Sequence, residues 1–141
     1  MAADPRSAGS LADSRSKIDL QLAAVHDIDR LHHAVNEIRA AREKLRKAKE
    51  QLAKGDAKAK PIDAQLAALD PIEQELMQVN MKGSEANLAF PGKLNELFAT
   101  FAATQDDADT APTTQHRAMY ESLHKQLEQP LGKWEKLKAT L

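Results

Sequence analysis

A chain of 141 residues has the length of one ordinary domain or of a piece of a larger protein. Its 20 basic and 21 acidic residues leave a formal charge of −1, so no overall field draws it to nucleic acid or anionic lipid. The absence of cysteine excludes disulfides and thiolate metal sites, and no apolar run is long enough to span a membrane. The opening MAADPRSAGS lacks the basic start and apolar stretch of a signal peptide, so an exported product would carry its signal outside this sequence.

Leu, Ile, Val and Phe together number 28, and alanine adds 25 more. Leu, Ala, Lys, Glu and Gln favour helix because they lose little rotamer freedom there. One Trp, one Tyr and three Phe cannot fill a thick core, so thin, alanine-rich helix packing is expected. The fold class expected is all-α: an elongated antiparallel bundle of four unequal helices with a long helical hairpin.

In chain order, residues 1–10 read as an extended linker from a preceding domain, and 11–141 as the bundle domain. The first helix is expected over about 11–54. Leu20, Ala24, Ile28, Leu31, Val35, Ile38, Ala41, Leu45, Ala48 and Leu52 recur at steps of three and four, the mark of one apolar stripe. Gly55-Asp56 supplies a stop. Ile18, Leu22 and Val25 form a second stripe, placed a quarter to a third of a turn from the first, that continues as Asp29, His32 and Asn36. This predicts an N-terminal half covered on two sides, by further helices or a neighbouring domain, and makes Ile18, Leu22 and Val25 the candidate docking face.

The second helix, over about 61–81, has proline at its start and the stripe Ile62, Leu66, Leu69, Ile72, Leu76, Val79, with a bend or a new first turn expected at Pro71. The third, about 91–104, uses Leu94, Leu97, Phe98 and Phe101. The fourth, about 112–141, carries Met119, Leu123, Leu127, Trp134, Leu137 and Leu141, with a kink expected at Pro130 and Gly132.

Three clusters invite a chemical reading. Asp106, Asp107 and Asp109 suggest a calcium loop. Counted from Asp107, however, Ala111, Pro112 and Ala118 fall where an oxygen ligand, the glycine and the closing glutamate belong. Acidic residues ahead of a helix ordinarily serve its N-terminal dipole. His26, Asp29 and His33 share a helical face and, with His116 or His124 of the last helix, compose an alternative function: a stand-alone bundle binding a metal or small ligand. Di-metal bundles recruit a Glu-x-x-His motif from each of two helices, whereas only one, Glu121–His124, occurs here, and the His26 and His33 imidazoles point away from the main stripe. The segment Arg39–Lys60 holds nine Lys or Arg against Glu43, Glu50 and Asp56, a net +6 that fits a solvated tip supported by Glu43–Lys47 and Glu50–Lys54 pairs. It carries no aromatics for base stacking. No Gly-x-Ser-x-Gly elbow and no phosphate-binding glycine loop occurs, so no catalytic residue, cofactor or metal ligand is assigned and no enzyme is expected.

The order of three segments carries a resemblance: Asp4-Pro5-Arg6 before a long helix, Phe90-Pro91-Gly92-Lys93-Leu94-Asn95, and Asp109-Thr110-Ala111-Pro112-Thr113 before the last helix. The chain resembles the C-terminal helical region of bacterial sortilin-like, BNR-repeat β-propeller proteins, often labelled glycosyl-hydrolase-like. That family more often has Tyr than Phe before the proline. The resemblance implies a non-catalytic spacer, brace or docking module. Its partners would be other domains of the parent protein, and its location periplasmic or secreted. It carries over no catalytic residue, since ligand chemistry would reside in the propeller.

Overall fold

The computed structural model describes residues 9–83, 85, 88–104 and 110–141, so Asp4-Pro5-Arg6 and the aspartates at 106, 107 and 109 lie outside the described residues. The protein is an all-α bundle of four helices: α1 (Leu11–Glu50), α2 (Ala59–Leu76), α3 (Leu94–Thr104) and α4 (Thr114–Lys138). At about 1.5 Å per residue α1 is roughly 60 Å long, and it is the rod on which the others are laid.

Local chemistry sets each helix end. Ser10 opens α1 with a capping box: its hydroxyl accepts from the Asp13 amide (3.1 Å) while the Asp13 carboxylate accepts from the Ser10 amide (2.9 Å). At its other end α1 stops at Glu50 rather than 54, because the chain turns through Gln51–Lys54 and then reverses at Gly55, whose φ of 88° suits glycine. Helix α2 begins two residues before Pro61, a position that still lacks an intrahelical N–H partner, and runs through Pro71 without a break. It ends at Leu76 instead of 81. Met77 is extended, and the Gln78 side-chain amide is drawn off to the Pro91 carbonyl (2.8 Å). Helix α3 starts at Leu94 rather than 91, with the Glu96 carboxylate accepting from the Lys93 amide (2.8 Å). Thr113, not Pro112, heads α4, its hydroxyl accepting from the His116 amide (3.2 Å). Pro112 itself is buried. Helix α4 continues unbroken through Pro130 and Gly132 to Lys138.

Side-chain pairs fix the directions. Arg39 meets Glu73, Arg42 meets Asp70 and Lys49 meets Asp63, so α2 runs back along the C-terminal half of α1. His32 meets Asn95, whereas Phe101 stacks near Tyr120 and so lies level with Asp27. Helix α3 therefore keeps the direction of α2 along the N-terminal half of α1. Arg117 meets Ser16, His124 meets Asp27 and Trp134 meets Glu37, so α4 runs parallel to α1. Neighbours joined by short links are antiparallel as expected. The four helices do not simply alternate, because the 77–93 connection carries the chain onward instead of turning it back. In cross-section the bundle has three rods: α1, α4, and α2 followed by α3.

The core is thin and continuous, from Leu20, Ala24, Leu31, Ala34, Val35 and Ile38 of α1 to Leu69, Ile72 and Leu76, then Leu94, Phe98 and Phe101, then Leu123, Leu127 and Trp134. Ala24 and Ala34 are closed from solvent and let neighbouring helices approach closely. Leu31 is fully buried at the centre. Leu31→Ala should cost about 2–5 kcal/mol in urea unfolding. A loss under about 1 kcal/mol would place this stripe outside the core.

Candidate interaction surface

At 3.6 residues per turn the buried positions of α1 centre on Leu20, Asp27, Leu31 and Ile38, and Ile28 sits only at the edge of that stripe, half-buried. Measured from this true centre, Ile18, Leu22 and Val25 lie almost on the opposite side of the helix, not a quarter to a third of a turn away. A pattern of apolar residues that counts Ile28 and skips Asp27 shifts the apparent centre toward the outer face and makes that angle look smaller. All three side chains face solvent: Ile18 is 52% exposed, Leu22 60% and Val25 46%. Leu11, 73% exposed and one heptad before Ile18, extends the same face. The bundle's other helices all lie on the core side, so the described residues leave this face uncovered. Along it, Asp29 and His33 are exposed, while His32 reaches round to the Asn95 side chain at 2.7 Å.

Behind that face lies a feature that sequence reasoning missed. Asp27 is 1% exposed, in the middle of the core stripe. The Arg30 guanidinium donates to one carboxylate oxygen (3.0 Å), and the Tyr120 hydroxyl (3.0 Å) and His124 Nδ1 (2.7 Å) approach the other. Arg30 also pairs with Glu128 at 2.6 Å. Burial pushes the Asp27 carboxyl up, but hydrogen bonds from His124, Arg30 and Tyr120 together outweigh it and hold the group below its ordinary value. For Tyr120, burial and the hydrogen bond to Asp27 push the phenol to about 12. The one signal in the sequence is a carboxylate falling at a core position of the three-and-four spacing, between Ala24 and Leu31.

Glu73 of α2 is built alike, 4% exposed and held by Arg39 Nε (2.7 Å) and Arg42 (2.6 Å), whose hydrogen bonds overcome burial and lower its carboxyl. Glu37 joins α1 to α4 by accepting from the Trp134 indole (2.8 Å) and from Lys138 (2.6 Å). These pairs revise the basic tip. Arg39, Arg42 and Lys49 are met by Glu73, Asp70 and Asp63 of α2, so three of the six excess positive charges are offset by acids lying beyond the segment counted. The supporting pairs differ too: Glu43 meets Arg46 at 3.6 Å, and the end of α1 at Glu50 takes Lys54 off the helix.

The histidines do not converge. His26, Asp29 and His33 are exposed on the outer side of α1, His116 sits near the start of α4, and His124 is engaged with Asp27. Among the described residues no three His, Asp or Glu gather in an arrangement fit for a metal ion. A shallow groove beside Ala40, Ala41 and Trp134 is lined by three charged side chains, of which Glu37 and Lys138 bind each other and Lys44 is exposed. No described helix is long and apolar enough to cross a membrane. Compared with known proteins, the chain matches no family model, no curated protein and no solved structure.

The depressed carboxyls predict an acid limb. Folding holds protons off Asp27 and Glu73, so their contribution is present above the ordinary values of 3.8 and 4.5 and is lost as pH falls through the lower folded values. Stability against urea should decline on acidification from about pH 4.5 downward. Asp27→Asn should flatten that decline, whereas Asp27→Ala, which takes the shared oxygen from Tyr120 and His124 and leaves Arg30 with Glu128 alone, should cost about 1–3 kcal/mol at neutral pH. An unchanged acid limb in Asp27→Asn would show that this carboxylate is not held as described.

Proposed function

We propose that this chain is a non-catalytic helical interaction module: a rigid three-rod bundle that presents the outer face of α1 for docking. The observation that carries the reading is the exposed row Leu11, Ile18, Leu22 and Val25, lying back to back with the core stripe. Four large apolar side chains on one open helix face are what an interface leaves behind when its partner is removed. The polar groups that could perform chemistry are instead committed to holding helices together, as at Asp27, Glu73 and Glu37.

The likeness to the C-terminal helical region of sortilin-like propeller proteins supports placing the module at the end of a larger exported protein, as spacer or brace. Described parts of the shared segments have structural work that suits such a role. Leu94 is buried, Asn95 receives His32, and Thr113 caps α4.

Site-specific photocrosslinking in the native cells tests the reading. A photoreactive residue at position 22 should give a discrete adduct, and one at Lys47 on the hairpin should not. Leu22→Asp should abolish the assembly while leaving the chain's own unfolding within about 0.5 kcal/mol of wild type, because Leu22 contributes little to the core. No adduct at position 22 would overturn the proposal.

A further inference from the structure

The docking face has a repeat of its own. Leu11, Arg15, Ile18, Leu22, Val25 and Asp29 follow at steps of four, three, four, three and four, the spacing of a seam made to meet a second helix. Helix α1 thus carries two such seams, and only the core-side one has its partner within the chain. The outer seam is also marked by charge. Its apolar centre, Ile18, Leu22 and Val25, is bracketed by Arg15 on one side and Asp29 on the other. Both are exposed, and neither makes an ion pair among the described residues.

That arrangement selects its occupant. When the seam meets an identical seam running the opposite way, Ile18 faces Leu22 of the second copy and Leu22 faces its Ile18. Val25 then lies along the methylene stem of the second copy's Arg15, whose guanidinium is within one helical turn of Asp29 of the first. The two-fold axis makes the same contacts twice, as a self-complementary interface requires. A parallel, in-register pairing would instead stack Arg15 on Arg15 and Asp29 on Asp29, with like charges opposed in both layers. The sequence of this seam therefore favours one orientation and penalises the other.

We infer that two copies of this chain pair through the outer face of α1, antiparallel, with Arg15–Asp29 ion pairs closing both ends of the apolar centre. The inference rests on the reading of this face as a docking surface and names its partner. The seam spans 18 residue steps, about 27 Å. That is short for an interface, so the dimer is expected to be weak and reversible.

Sedimentation of the purified 141-residue chain, from low micromolar to submillimolar concentration at low salt, reads this directly. Wild type should pass from 15.5 kDa toward twice that mass. Arg15→Asp and Asp29→Arg should each weaken association about tenfold or more, because each places like charges at both ends of the seam. The double variant carrying both changes should restore it. Circular dichroism should be unchanged in all three, since both positions are exposed. A chain that stays at 15.5 kDa throughout, or a double variant no better than the singles, overturns the pairing. The docking reading is tested separately: an adduct at position 22 with a different polypeptide in cells would uphold it while refuting the second copy, and no adduct there would overturn both.

Discussion

Asp27 has its carboxylate closed off from solvent in the middle of the face that α1 turns toward the bundle, and most of the architecture follows from what it needs. An ionised carboxylate stranded in such a place costs several kcal/mol, so the chain can adopt only arrangements that bring it donors. Arg30 is on its own helix, one turn away, but Tyr120 and His124 are 93 and 97 residues further along and must be delivered by α4. Sliding α4 by one turn, or reversing it, would remove both. The interaction is better understood as choosing among packings than as adding net stability, because a well-packed apolar pair could match its energy. Glu37 makes the same selection nearly three turns on, through the Trp134 indole, and Glu73 does so for α2 through Arg39 and Arg42.

With these pins in place, the thin core has a use for its composition. Among the described residues leucine supplies seven of the fifteen buried in the core, and a surface built largely of one side-chain type has little shape of its own with which to select a register. Rows of similar aliphatic side chains can interdigitate in several offsets at nearly equal energy. Charged groups that must meet supply the discrimination that the apolar contacts lack. Because α2, α3 and α4 are all recruited to one side of α1, its other side is left to solvent along the N-terminal third. The open face is thus a consequence of how the bundle is pinned.

The helices themselves could be read from the residues. Period, prolines and Gly55 placed all four, with ends that moved by a few residues where a local hydrogen bond stopped the chain: Gln78 at the end of α2, Glu96 at the start of α3 and Thr113 at the start of α4. Directions were harder. A short link between α1 and α2 forces reversal, but nothing in the composition of residues 77–93 tells whether a longer link returns or runs on. Ile18, Leu22 and Val25 could be read as a second stripe because they alternate with polar residues at helical spacing, and all three are exposed. Their true angle to the core was hidden, since a pattern built from apolar residues skips Asp27 and shifts toward Ile28. The Asp27 network was illegible for the same reason: a carboxylate breaks the stripe, and its partners declare themselves only once α4 is in place.

The claim on which this account depends is that α4 lies parallel to α1, for that is what brings Tyr120 and His124 to Asp27 and leaves the outer seam open. Since the chain has no cysteine, a pair introduced at Lys47 and Lys136 can be spin-labelled without competition, and the distance between labels measured by pulsed electron resonance. Parallel helices put the two sites at the same end of the molecule, with a label separation under about 25 Å. A reversed α4 would carry Lys136 toward the start of a rod roughly 60 Å long and give a separation above about 40 Å, which would contradict the account.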